Sequence, residues 1–155
     1  MTQIHTTIDI QASPDRVWAA VRDIEHWSEW TPTVIRVQPL DSGPLAVGTR
    51  AIVHQPKLLP ARWQVTDLEE GRSFTWITRG PGILVTARHS IEGAANGSRA
   101  TLSLDFSGPL GPFCARLTRG LNTRYLAIEA RGLKKRAEAD ARSQSSRDGS
   151  VRGSR

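Results

Sequence analysis

Residues able to do chemistry are few in this chain, and none falls in a motif that names a reaction. Four histidines (His5, His26, His54 and His89) lie scattered with no cysteine near them. The one cysteine, Cys114, can neither close an internal disulfide nor complete a zinc set. There is no Gly-x-Gly-x-x-Gly after a strand pattern, no Walker loop, no His-Glu-x-x-His and no Gly-x-Ser-x-Gly elbow. Neither a metal nor an organic cofactor is expected. What remains is His89 in an apolar alternation, Tyr125 in a helical stripe, and five tryptophans. An imidazole can move a proton near neutral pH, and indoles make broad walls for a flat guest. Each has a plainer use. An inward Trp fills a core with ~150–250 Å² of buried surface, and a His on an apolar face is more often a satisfied core group than a base. Cys114 reads as a small buried hydrophobe, Glu69 and Glu70 before Gly71 as solvated charges, and His54 lies on a strand of ambiguous parity.

The elements that must position these groups follow from periodicity. Ile4, Ile8 and Ile10 share one parity against Thr7 and Asp9, a first strand. Ser13-Pro14-Asp15 supplies an N-cap hydroxyl, a proline at the first helical position and an acid near the positive helix end. Val17, Trp18, Val21 and Ile24 make the apolar face of the helix that starts there. A second short helical turn runs from Asp23 to Trp30, with Trp27 and Trp30 on one side, and Pro32 stops it. From Thr33 the period becomes two. Strands are expected near 33–39, 49–55, 61–69, 73–79, 83–92 and 99–106, separated by turn chemistry at Asp41 to Pro44, Gly48, Pro56 to Pro60, Gly71, Gly80 to Gly82 and Asn96-Gly97. A long helix then runs from Gly111-Pro112 to about Ala139, with Phe113, Cys114, Leu117, Leu121, Tyr125, Ile128 and Gly132 as the expected packing stripe. Gly132 within that stripe costs about 1 kcal/mol of helix stability relative to Ala, which implies a close backbone approach.

Composition limits the function classes. A chain of 155 residues has room for one core, and 38% hydrophobic with 23% charged residues describes a globule. No apolar run approaches the ~20 residues of a membrane span, and the N-terminus has no signal-peptide pattern, so a cytoplasmic location is expected. The net charge is +6, but residues 142–155 hold four arginines against Asp148 and so carry +3 of it. That segment has one aliphatic side chain, and the reading is a single domain over residues 1–141 followed by a disordered basic tail. Of the 21 basic residues 18 are Arg, as much a mark of genomic base composition as of phosphate recognition, so nucleic-acid binding is not expected.

Strand, two short helices, six strands and a long helix is the order of the helix-grip fold, an α+β class in which a curved seven-stranded antiparallel sheet wraps around the last helix. The residues that carry a resemblance are Ser13 to Trp18, Asp23, Trp27 and Trp30, Val47-Gly48-Thr49, Phe74-Thr75-Trp76, Gly97-Ser98-Arg99, Gly108 to Pro112 and Tyr125 to Lys134. Over residues 3–139 the chain resembles the SRPBCC superfamily, in its polyketide cyclase/dehydrase-like (START-like) branch. Members share a cavity rather than a reaction.

A long sheet bent around one helix leaves a space on its concave face. Parity aims Trp63 and Val65, Phe74 and Trp76, and Val85, Ala87, His89 and Ile91 into it, and turns Arg62 and Arg88 outward. The expected ligand-binding set is Trp30, Trp63, Trp76, His89, Leu117, Leu121 and Tyr125, with His89 and Tyr125 as candidates for moving protons. The leading expectation is a binder of a small hydrophobic, aromatic or polyketide-like ligand, as a monomer or homodimer. The resemblance implies two alternatives: an enzyme of the cyclase/dehydrase type using the same cavity, and an interaction module associated with ribosomes or lipids.

Overall fold

The seven strands form one antiparallel sheet in the order β1-β7-β6-β5-β4-β3-β2. In the computed structural model, which describes residues 2–152, they are β1 (Thr2–Ile10), β2 (Arg36–Pro39), β3 (Arg50–His54), β4 (Ala61–Glu69), β5 (Ser73–Gly80), β6 (Ile83–Ala94) and β7 (Gly97–Ser107). Helix α1 (Pro14–Arg22) and a 3₁₀ turn (Ile24–Glu29) follow β1, and α2 (Gly111–Arg152) closes the chain. This is the expected α+β helix-grip architecture, with strand limits within about three residues of those read from the alternation. β2 is the shortest; it is preceded by a turn in which the Val34 N–H donates to the Thr31 carbonyl at 3.3 Å and the hydroxyls of Thr31 and Thr33 bond at 2.8 Å.

Register decides which side chains meet. Phe74 pairs with His89, His89 with Leu102, Trp76 with Ala87 and with Val65, and Ala51 with Trp63. A bulge between Val65 and Asp67 re-aims the end of β4. Trp63, Val65, Phe74, Trp76, Ala87, His89 and Ile91 are all buried on the concave face, while Arg62 and Arg88 are exposed. Alternation therefore sorted the two faces as expected.

Three expectations fail here. Ser13 makes no side-chain cap; its carbonyl accepts from the backbone N–H of Arg16 and Val17 instead. Helix α2 runs on through residues 142–152, where a disordered tail was expected over 142–155; residues 153–155 lie outside the described residues. Backbone hydrogen bonding continues there although every side chain from Arg142 to Ser150 is exposed, so the burial argument holds but the backbone does not stop with it. The packing stripe of α2 is also turned by about one residue, close to 100°. Its buried positions are Ala115, Asn122, Leu126, Glu129, Ala130, Leu133 and Ala137, and Phe113 and Leu117 face solvent. Small residues win this face because the helix lies close against the sheet and α1. A methyl group added at Gly132 would overlap the carbonyl oxygen of Trp30, the close backbone approach expected there.

The C-terminal half of α2 is tied down by polar contacts. Lys134 donates to the Asp9 carbonyl at 3.1 Å, Arg136 pairs with Glu29 at 3.0 Å, and Arg16 donates to the Asp140 carbonyl at 3.2 Å. Glu138 accepts from the Gln11 backbone N–H at 3.1 Å and from Lys134 at 2.5 Å. Burial pushes the Glu138 carboxyl up, but the Lys134 hydrogen bond and the Gln11 N–H outweigh it and hold the group below the usual carboxylate range. Glu70, read as merely solvated, is exposed yet accepts from the Trp18 indole at 2.9 Å and from Arg22 at 2.7 Å, joining α1 to the β4–β5 turn.

Candidate functional site

The concave face carries an aromatic cluster centred on one imidazole. His89 stacks on Phe74 with ring centroids 4.8 Å apart and planes 8° from parallel, and Trp27 lies 5.0 Å away. Trp76 meets Trp27 edge-on at 5.4 Å and Trp63 at 5.3 Å. Trp27 is held by its indole N–H, which donates to the Val21 carbonyl at 3.0 Å. These contacts fix the rings from β4, β5, β6 and the 3₁₀ turn, so the wall is preorganised rather than loose.

From the helix side, Glu129 projects onto His89. The imidazole Nε2 and Glu129 Oε1 are 2.9 Å apart, with both side chains almost fully buried, at 7% and 11% exposure. The other imidazole nitrogen, Nδ1, is buried and has no partner. A buried polar pair in an aromatic wall is costly unless its hydrogen-bonding capacity is filled, and here half of the imidazole's capacity is unfilled. Chemically, the pair is an imidazole oriented by a carboxyl group, an arrangement that can accept, hold or return a proton.

A cleft of about 60 Å³ opens beside this pair, lined chiefly by Trp63, Trp76, His89, Tyr125, Leu126 and Glu129. That volume holds a few water molecules. It is well below the ~300–1,000 Å³ of a pocket that encloses a drug-sized ligand, and below the hollow expected from a sheet bent around a helix. Indoles and Leu126 fill most of the space. The Tyr125 hydroxyl, donating to the Pro56 carbonyl, latches the β3–β4 connection across the mouth. A larger hollow of about 290 Å³ lies on the surface between Arg22 to Glu25 and Asp41 to Leu45, but it holds no buried titratable group.

Of the expected site residues, Trp63, Trp76, His89 and Tyr125 come together at the cleft, and Trp30, Leu117 and Leu121 do not line it. Trp30 packs behind Trp27, at 5.9 Å, and its carbonyl abuts Gly132; the 3₁₀ turn delivers Trp27 to the cleft in its place. Leu117 is 73% exposed because the stripe is rotated. Glu129 escaped the sequence reading, although it is the first acid in the helix and stands four residues after Tyr125, on the same side. His54 lies outside this cleft.

Among the described residues, no group of three His, Cys, Asp or Glu is placed to hold a metal ion, and no helix is long and apolar enough to cross a membrane. The family described as polyketide cyclase/dehydrase and lipid transport matches residues 1–138. The chain belongs to that family. No curated protein matches the sequence. Among solved structures, the chain is similar to the Thermus thermophilus protein TTHA0849, with 16% identity, a TM-score of 0.71 and coverage of 90% of this chain and 99% of that one. It is also similar to the Zhui aromatase/cyclase of a Streptomyces species, with 14% identity, a TM-score of 0.72 and coverage of 88% and 93%. The di-domain ARO/CYC StfQ of the steffimycin biosynthetic pathway matches at 13% identity and TM-score 0.70, over 90% of this chain and 51% of that one. At these identities the likeness is one of fold.

Proposed function

We propose that this family member binds a small, flat, largely apolar molecule bearing a carbonyl or hydroxyl group, with Trp63 and Trp76 as walls and His89–Glu129 as the polar end. The observation that carries this reading is the pair itself. A histidine and a carboxyl buried in an aromatic wall, with one imidazole nitrogen unpartnered, do less for stability than apolar residues of the same size and so point to a polar guest. Membership of a polyketide cyclase/dehydrase and lipid transport family supports an apolar or polyketide-like ligand class.

Entry requires movement, because the cleft at about 60 Å³ is smaller than any aromatic guest it would enclose. The part free to move is the Gln55 to Pro60 connection against the N-terminal half of α2, since among the described residues the polar ties of α2 to β1, α1 and the 3₁₀ turn lie between Lys134 and Asp140. Tyr125→Phe removes the latch. Calorimetric titration with a naphthol, followed in parallel by Trp emission, tests the proposal. Saturable one-to-one binding is expected, faster in Tyr125→Phe and about tenfold weaker in His89→Ala, for the loss of one hydrogen bond of about 1.4 kcal/mol. Failure of both the wild type and Tyr125→Phe to bind any flat aromatic probe would overturn it.

The imidazole–carboxyl geometry also favours a second reading, an enzyme of the cyclase/dehydrase type. His89 would then take a proton from an acidic C–H between two carbonyls, with Glu129 orienting the ring. Turnover of a poly-β-ketone mimic, with a pH profile displaced by His89→Gln, separates this from simple binding.

A further inference from the structure

We propose that the N-terminal half of α2 is a docking surface for an anionic lipid bilayer. Leu110, Phe113 and Leu117 are 48%, 65% and 73% exposed, although this same helix buries alanines a few positions away. Phe113 and Leu117 stand one turn apart, on the side of the helix opposite Ala115 and Asn122, so no rotation of their side chains returns them to the core. Arg124 stands on the same side of the helix and Arg116 flanks it, both exposed, Arg119 is exposed further round, and no acidic residue occurs between Asp105 and Glu129. The segment thus carries three positive charges and no negative one, and among the described residues none of its arginines pairs with an acid, whereas Arg22, Arg50, Arg99 and Arg136 do.

Two large apolar side chains flanked by the unpaired Arg116 and Arg124 match the chemistry of a membrane surface. The apolar groups enter the acyl boundary while the guanidinium groups remain among anionic headgroups. A second copy of this chain fits less well, because antiparallel packing of the two faces would set arginines against arginines with no acid to neutralise them. This surface contributes no residue to the cleft, so docking needs no ligand there.

Sedimentation of the full chain with vesicles of phosphatidylcholine, and of phosphatidylcholine with added phosphatidylglycerol, provides the test. Binding is expected on the anionic vesicles, weaker on the neutral ones, and falling as salt is added. Arg116→Gln with Arg124→Gln should lower the partition coefficient about twenty-fivefold, taking roughly a factor of five for each charge. Phe113→Ser with Leu117→Ser should lower it by at least about tenfold. Both pairs face solvent, so the melting temperature should be retained, which separates loss of docking from loss of fold. Equal sedimentation of wild type and the Phe113/Leu117 variant, no sedimentation on either vesicle, or a dimer abolished by that variant in the absence of lipid would each overturn the proposal.

Discussion

Replacing both partners of the buried His89–Glu129 pair tests whether the pair serves function rather than stability. Glu129→Leu removes the acceptor 2.9 Å from the imidazole and leaves both ring nitrogens unpartnered, a loss of about 1–3 kcal/mol. His89→Phe preserves the stacking on Phe74 but strands a carboxyl group in an aromatic wall at 11% exposure, a loss of about 3–5 kcal/mol. If the two effects were independent, the double variant would lose about 4–8 kcal/mol, most of the stability of a domain this size. The contact predicts otherwise. With no polar group left to satisfy, His89→Phe with Glu129→Leu should fall within about 1 kcal/mol of the wild type, or exceed it, giving a coupling energy above about 3 kcal/mol. Urea unfolding followed by far-ultraviolet circular dichroism of all four proteins closes the cycle without relying on Trp emission, which the substitutions themselves would alter. Additive losses would refute the pairing. A double variant that is stable and still binds the naphthol as tightly as wild type would refute the functional role of the pair.

Three further outcomes follow from the packing. Gly132→Ala should destabilise by about 1–2 kcal/mol and lower Tm by a few degrees, since the ~1 kcal/mol gain in helix propensity is exceeded by overlap with the Trp30 carbonyl; a rise in Tm would contradict the close approach. Glu138 has a folded-state pKa below its ordinary value of 4.5, so its contribution is complete above that value and is lost as pH falls through the lower folded value. Glu138→Gln should therefore cost about 1–2 kcal/mol at neutral pH and flatten the acid limb of a stability–pH curve, and parallel limbs would show that the carboxyl makes no such contribution. Deleting residues 142–155 should change stability by less than about 0.5 kcal/mol, because side chains 142–150 are exposed; a larger loss in thermal unfolding would show that the end of α2 supports the fold.

Much of the architecture was legible before any coordinates. The two-residue alternation of Trp63/Val65, Phe74/Trp76 and Ala87/His89/Ile91 sorted the sheet faces, because in a strand the side-chain direction is set by the residue's own backbone. Gly132 announced a close contact for a similarly local reason: no other residue type leaves that space free of a Cβ. The rest needed the assembled chain. Which face of α2 turns inward depends on how closely the sheet and α1 approach it, a distance no helical period encodes, and small residues won that face over Phe113 and Leu117. Glu129 met His89 across 40 residues only because that rotation brought it there, and the volume left beside them was decided by how far the indoles, Leu126 and the Tyr125–Pro56 latch filled the curve of the sheet. Direction within an element is a property of neighbours in the chain; contact and volume belong to neighbours in space.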